Sequence, residues 1–320
     1  VAAPAIPVRG TQTFVGTLAS CWRRPWLTGL EVAWRWSFGA PALALVVWKL
    51  RGVLLAATGA TLDPARLGLD AALLGDPVGA LAASPLGAVG KFARALALLW
   101  PGVARVAGWL GPVLAAGWIV QSSLGRTMVL RRIDSGMKTR VWTLMGLQAI
   151  RMAALAGVLW VWLALMAWSA NVAVTDPMAA GQEPNLVLYC GLVIAISLGM
   201  FCGWAAVSWV PGIAPILAMK LDLGVLASLK AAVGLGAVRG RLVEINLVLG
   251  IVKIALIVLA MVFSACPLPF SSVETPEFLA WWNVGVAILY LVWSDFFHVA
   301  RLVGYRELWR MGDRGESTAR

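Results

Sequence analysis

The chain has 320 residues, of which 61% are hydrophobic and 13% charged, with a formal net charge of +11. A soluble domain carries about 25% charged residues, so this composition leaves too little polar surface for an ordinary water-soluble globule. The apolar residues come in blocks of about 20, the length of helix that crosses a bilayer core of about 30 Å, and the cations flank those blocks, which assigns the charge to topology and anionic lipid and not to nucleic acid.

The predicted architecture is all-α: a polytopic transmembrane helical bundle of about six spans with amphipathic cytoplasmic-surface helices, forming a single integral membrane domain over 1–320. Residues 1–30 form a cytoplasmic amphipathic segment carrying Arg23 and Arg24. Its opening, VAAPAIPVRGTQTF, is too broken for a removable signal peptide, and a leading Val is what an untranslated GTG start codon of a bacterial source would give. The first span is expected near Trp34–Trp48, with Pro41 inside it as a candidate kink. Segment 60–101 is apolar but rich in Gly, Pro and Ala. Within it GAVGKFARALALLW, with Lys91 and Arg94, reads as an amphipathic helix on the outer leaflet, a seventh or re-entrant span being the rival. The second span is expected near Val103–Leu124, the third near Trp142–Ser169 and the fourth near Leu186–Val210, closed by Pro211 and Pro215. The fifth is near Leu242–Ala265 and the sixth near Phe278–Val299, followed by a cytoplasmic tail at 301–320.

Loop charge tests this layout. Segments 1–30, 125–142, 210–243 and 301–320 hold three, five, four and five Lys or Arg, while 170–185 and 266–277 hold none and 60–89 holds Arg66 alone. Seventeen cations against one, alternating with each crossing, is the positive-inside pattern and predicts both termini in the cytoplasm of a bacterial inner membrane. Eighteen Trp against three Tyr suits indoles at the headgroup interface. Each odd span is entered through a basic, partly amphipathic stretch and begins with a polar residue, Glu31, Gln148 or Glu244, an organisation compatible with three repeated helical hairpins.

Ionisable residues inside spans cost about 2.5–3.5 kcal/mol each on insertion scales and are functional candidates by default. Arg151 lies about two turns into the third span, Lys253 near mid-depth in the fifth, and Asp295 and His298 in the inner half of the sixth. Arg151, Lys253 and Asp295, with Glu244 below them, are expected to form an intramembrane polar cluster. It would either fix helix register or hold an anionic headgroup, a solute or a proton. His298, the one histidine, cannot make a metal site alone; it is a candidate ligand for a flat pigment, against an ordinary interfacial role. Arg23, Arg24, Arg131, Arg132, Arg239 and Arg241 form the expected headgroup-facing basic patch on the cytoplasmic side. Gly199 and Gly203 form a GxxxG suited to close helix packing. Cys21, Cys190, Cys202 and Cys266 show no metal-ligand spacing; Cys190 and Cys266 fall near outer span ends, where a disulfide is possible and apolar packing the ordinary alternative.

The stretch PILAMKLDLGVLASLKAAVGLGAVRGRLVEINLVLGIVKIALIVLAMV combines a short GVxxALxxA-type surface helix, a basic VRGRL turn and a long apolar span, with Gly224, Leu229, Arg239 and Arg241 at the defining places. Over about residues 214–262 it resembles a broad group of bacterial polytopic membrane proteins related to the membrane domain attached to some glycerophosphodiester phosphodiesterases. The sequence has no phosphodiesterase catalytic domain, so the resemblance implies a membrane module and no activity.

No GxSxG, HExxH, Walker loop or paired catalytic carboxylates occur, so neither an enzymatic role nor a cofactor is expected. The expected role is a non-catalytic accessory, scaffold or assembly protein working with anionic lipid or within a larger membrane complex. A small transporter or lipid-handling permease is the alternative, and a pigment- or haem-associated subunit the third reading.

Overall fold

The structure is a computed structural model that describes residues 10–59, 63–70, 83–236, 239–265 and 275–318. Cys266, and with it the Cys190–Cys266 pairing, lies outside the described residues, as do positions 60–62 and 71–82 of the segment expected at the outer leaflet. The described residues are helical and contain no strand. In chain order the helices are α1 (Gly10–Trp22), α2 (Pro25–Thr58), α3 (Pro85–Ile133), α4 (Val141–Ala170), α5 (Leu186–Val207), α6 (Trp209–Lys220), α7 (Val225–Val233), α8 (Arg239–Ala265) and α9 (Pro276–Thr318), with shorter turns between them. Six of these helical stretches are long and apolar enough to cross a membrane. Their apolar stretches lie on the outside: Trp160 is 72% exposed, Leu198 59% and Leu289 58%. Lipid is the solvent that makes such surfaces stable, because it solvates apolar side chains while each helix satisfies its own backbone. The protein is an integral membrane protein.

Local chemistry sets the helix ends. The Asn185 carboxamide accepts the Leu188 N–H and caps α5. Asp63 accepts from Ala65 N–H to open a 3₁₀ turn at Pro64–Leu67, which Gly68 closes at φ 74°, a left-handed conformation glycine adopts without cost. Pro101 and Pro112 lie inside α3, which continues through both. A proline forfeits one hydrogen bond without breaking a helix whose side chains are otherwise supported. The amphipathic stretch at 87–100 is therefore the leading part of the same helix as the second span.

The chain divides into two units, with the divisions falling inside α2 and α3. One comprises Arg35–Gln121, in which α2 and α3 run as a hairpin; Gln121 donates to Ser37 Oγ at 3.0 Å and Phe38 packs on Trp118. The other comprises the chain up to Trp34 and from Ser122 onward. Its hydrophobic core lies toward the end bearing the basic segments. α6 is the centre of that core: Ile213, Ala214, Ile216, Ala218 and Met219 are fully buried, against Leu130, Leu144, Leu242, Tyr305 and Leu308. Gly212 permits the approach, since a Cβ there would stand 2.7 Å from the Tyr305 ring.

The turn from α3 to α4 is pinned to the turn after α6. Lys138 N–H donates to Met219 O at 2.9 Å, and Asp222 accepts from the Arg140 guanidinium and from Lys138 Nζ. Beside them Asp134 pairs with Lys220 at 3.4 Å and Arg306 at 3.5 Å. The Arg140 and Lys138 hydrogen bonds hold the Asp222 carboxyl down at about 2. Asp134 is also lowered, although burial opposes it, by the Gly136 N–H and the Lys220 and Arg306 charges.

Candidate functional site

The site is built where α5 gives way to α6. Asn246, on α8, is 4% exposed and projects into that break. Its amide nitrogen donates to Ala205 O at 2.7 Å and Ser208 Oγ at 2.6 Å, and its amide oxygen accepts from Tyr305 OH at 3.1 Å and Arg301 at 3.4 Å. One carboxamide thus ties α5, α8 and α9 together, using both its donor and its acceptor capacity.

Arg301 continues the network to His298, whose Nδ1 lies 3.1 Å from a guanidinium nitrogen. A guanidinium only donates, so this geometry makes Nδ1 the acceptor and places the imidazole proton on Nε2. Nε2 faces Glu31 Oε1 at 3.6 Å, and the other Glu31 oxygen accepts from the Trp34 indole N–H at 2.8 Å. Glu31 is fully buried, and Gly125 leaves the space that the Trp34 ring occupies. The polar line runs from α2 through α9 to α8 and the end of α5.

Against this line opens a pocket of about 370 Å³ between α4, α5, α8 and α9. Its polar side carries Arg151, Lys253 and Arg301 with Asn246 and His298; no carboxylate lines it among the described residues. Its apolar side includes Leu155, Phe201 and Trp204, and these same three residues line an adjoining apolar groove of about 290 Å³ between α4 and α5. Trp162 donates to Ser197 Oγ at 3.1 Å across the same pair of helices. Gly250 gives Phe201 its place, for a Cβ there would lie 2.9 Å from the ring.

The structure thus brings Arg151 and Lys253 together in one pocket, with His298. Asp295, buried on α9, and Glu244, half-buried on α8, lie outside that lining. Arg301 and Tyr305 are site residues that the sequence reading did not single out. The signal was present: His298, Arg301 and Tyr305 stand at i, i+3 and i+7 and share one helix face. Of the expected headgroup patch, Arg23, Arg24, Arg131, Arg132 and Arg239 are exposed and Arg241 is half-buried, with Arg132 5.8 Å over the Trp26 ring. Among the described residues no group of His, Cys, Asp and Glu could hold a metal ion. Comparison with protein-family models, curated proteins and solved structures finds no match for the chain.

Proposed function

We propose that the protein is a non-catalytic, lipid-handling accessory protein of a bacterial cytoplasmic membrane that binds an anionic phospholipid in the pocket of Arg151, Lys253 and Arg301. The observation that carries this reading is the joining of a pocket lined by Arg151, Lys253 and Arg301 to an apolar groove through the shared Leu155, Phe201 and Trp204. Three basic side chains line one space, and a phosphodiester there gains charge-assisted hydrogen bonds in a low-dielectric surrounding. The groove offers an acyl chain a surface equivalent to bilayer. A small soluble anion would use only the first half of this arrangement. The Trp34–Glu31–His298–Arg301 line connects the headgroup site to the start of α2, so occupancy is felt by the element that follows the amphipathic α1. The charge alternation of the loops supports an orientation with both termini in the cytoplasm, which puts this pocket in the inner half of the bilayer.

Native mass spectrometry of the delipidated full chain tests the reading. Phosphatidylglycerol is expected to bind in preference to phosphatidylcholine, and R151Q/K253Q to weaken it about a hundredfold, the effect of losing two charge-assisted contacts. Equal retention of both lipids by the native chain and the variant, with folding intact, contradicts it.

A further inference from the structure

The Arg35–Gln121 unit holds a second pair of intramembrane cations that the site above leaves unused. Lys49 on α2 and Arg105 on α3 line one pocket of about 470 Å³, between the two arms of the hairpin. The arms approach closely beside it: a Cβ on Gly102 would stand 2.5 Å from Val53 Cγ1. No carboxylate lines the pocket among the described residues. The two carboxylates described in this unit have other work. Asp63 accepts from Ala65 N–H in the 3₁₀ turn, and Asp70 pairs with Lys91 at 2.6 Å.

The surroundings place this pocket at a headgroup level. Lys49 lies about 21 Å along α2 from Arg35, and Arg105 about 24 Å along α3 from Gln121, at 1.5 Å per residue. That is most of the way across a core of about 30 Å, toward the end of the hairpin where α2 and α3 connect. Indoles flank this level: Trp48, Trp100 and Trp109 are exposed, and Lys49 Nζ sits 4.2 Å from the Trp48 ring centroid and 5.5 Å from that of Trp109. Exposed Trp beside a basic residue is the anchoring arrangement of a membrane interface. A cation held against indole faces keeps its N–H donors directed at a third partner, and an oxyanion is the partner that two cations from facing helices select.

We infer that Lys49 and Arg105 form a second phosphate site, which takes the headgroup of an anionic phospholipid in the leaflet at the connecting end of the hairpin. This site and the Arg151/Lys253/Arg301 pocket lie on different residues and stand or fall separately. Apolar Val53, Ala56, Leu98 and Val106 flank the cations, so the glycerol and upper acyl carbons meet a surface a free phosphate has no use for.

Native mass spectrometry of the full chain, titrated with dioctanoyl-phosphatidylglycerol, dioctanoyl-phosphatidylcholine or inorganic phosphate, tests the inference. The expected result is two phosphatidylglycerol molecules on the native protein, with K49Q/R105Q weakening one of them about tenfold and R151Q/K253Q leaving that one in place. K49R/R105K retains it. Where the double glutamine variant loses its thermal transition, K49Q and R105Q singly carry the test, each weakening the second lipid. Full retention by the glutamine variants overturns the site, and so does equal binding of the zwitterionic lipid. Displacement of the second lipid by inorganic phosphate at equal concentration overturns the lipid assignment in favour of a free-anion site.

Discussion

Asn246 carries more of the site than any of its charged neighbours. Its carboxamide serves Ala205 O, Ser208, Tyr305 and Arg301 at once, in a buried position. No other uncharged side chain of that length both donates and accepts. Replacement by Leu strands several polar groups together. N246L is expected to cost about 2–4 kcal/mol, read from unfolding in detergent. N246D, which keeps the acceptor and loses the donor to Ala205 and Ser208, should fall between. An unfolding midpoint for N246L equal to that of the native chain would remove Asn246 as the organising residue. His298 illustrates the same scale differently: its role follows from a neighbour that can only donate, and no property of the isolated imidazole would have fixed its tautomer.

Elements explain why some of this was legible from residues alone and some was not. Spans of about 20 apolar residues bounded by cations announce themselves, and α4, α8 and the apolar part of α9 lie where the blocks put them. α6 did not announce itself. WVPGIAPILAM is as apolar as a span but too short, and Pro211 and Pro215 read as closing the fourth span, which leaves the rest to the cytoplasmic segment 210–243. Only the neighbours packed around it show it to be the buried centre of its unit. Counting residues puts Arg151 and Asp295 at similar depth and Lys253 about two turns deeper, yet the pocket is lined by Arg151 and Lys253; which side chains line it depends on helix rotation, which counting does not give. Long-range ion pairs were invisible for the same reason. Asp222, on the turn after α6, takes φ 59°, a left-handed value that Asp tolerates better than most residues, and so meets Lys138 and Arg140. Held at about 2, below the ordinary carboxylate value of about 3.9, Asp222 contributes its full stability above that ordinary value and loses it as pH falls through the folded one. D222N should therefore lower the thermal midpoint at pH 7, with the gap to the native chain closing between about pH 4 and pH 2. A gap that is constant over this range would exclude the ion pairs as its source.

At the scale of the molecule, the apolar windows of the candidate spans are mostly uncovered, and in the unit from Ser122 onward the buried core gathers near the basic segments. Such a unit is held together by the packing of that core and solvated by lipid along its apolar helices. Lys253, exposed on α8 beside Arg151 and Arg301, lines a pocket that a headgroup can enter from the bilayer. The accessory role proposed for the chain rests on that circumstance: the pocket's partner is supplied by the surrounding bilayer. A density map of the full chain in nanodiscs of mixed phosphatidylglycerol and phosphatidylcholine tests this most directly. The account predicts a phosphate-sized peak within hydrogen-bonding distance of Arg151, Lys253 and Arg301, with chain density continuing along Leu155, Phe201 and Trp204. A pocket with no phosphate peak beside those cations and no chain density along the groove would contradict it.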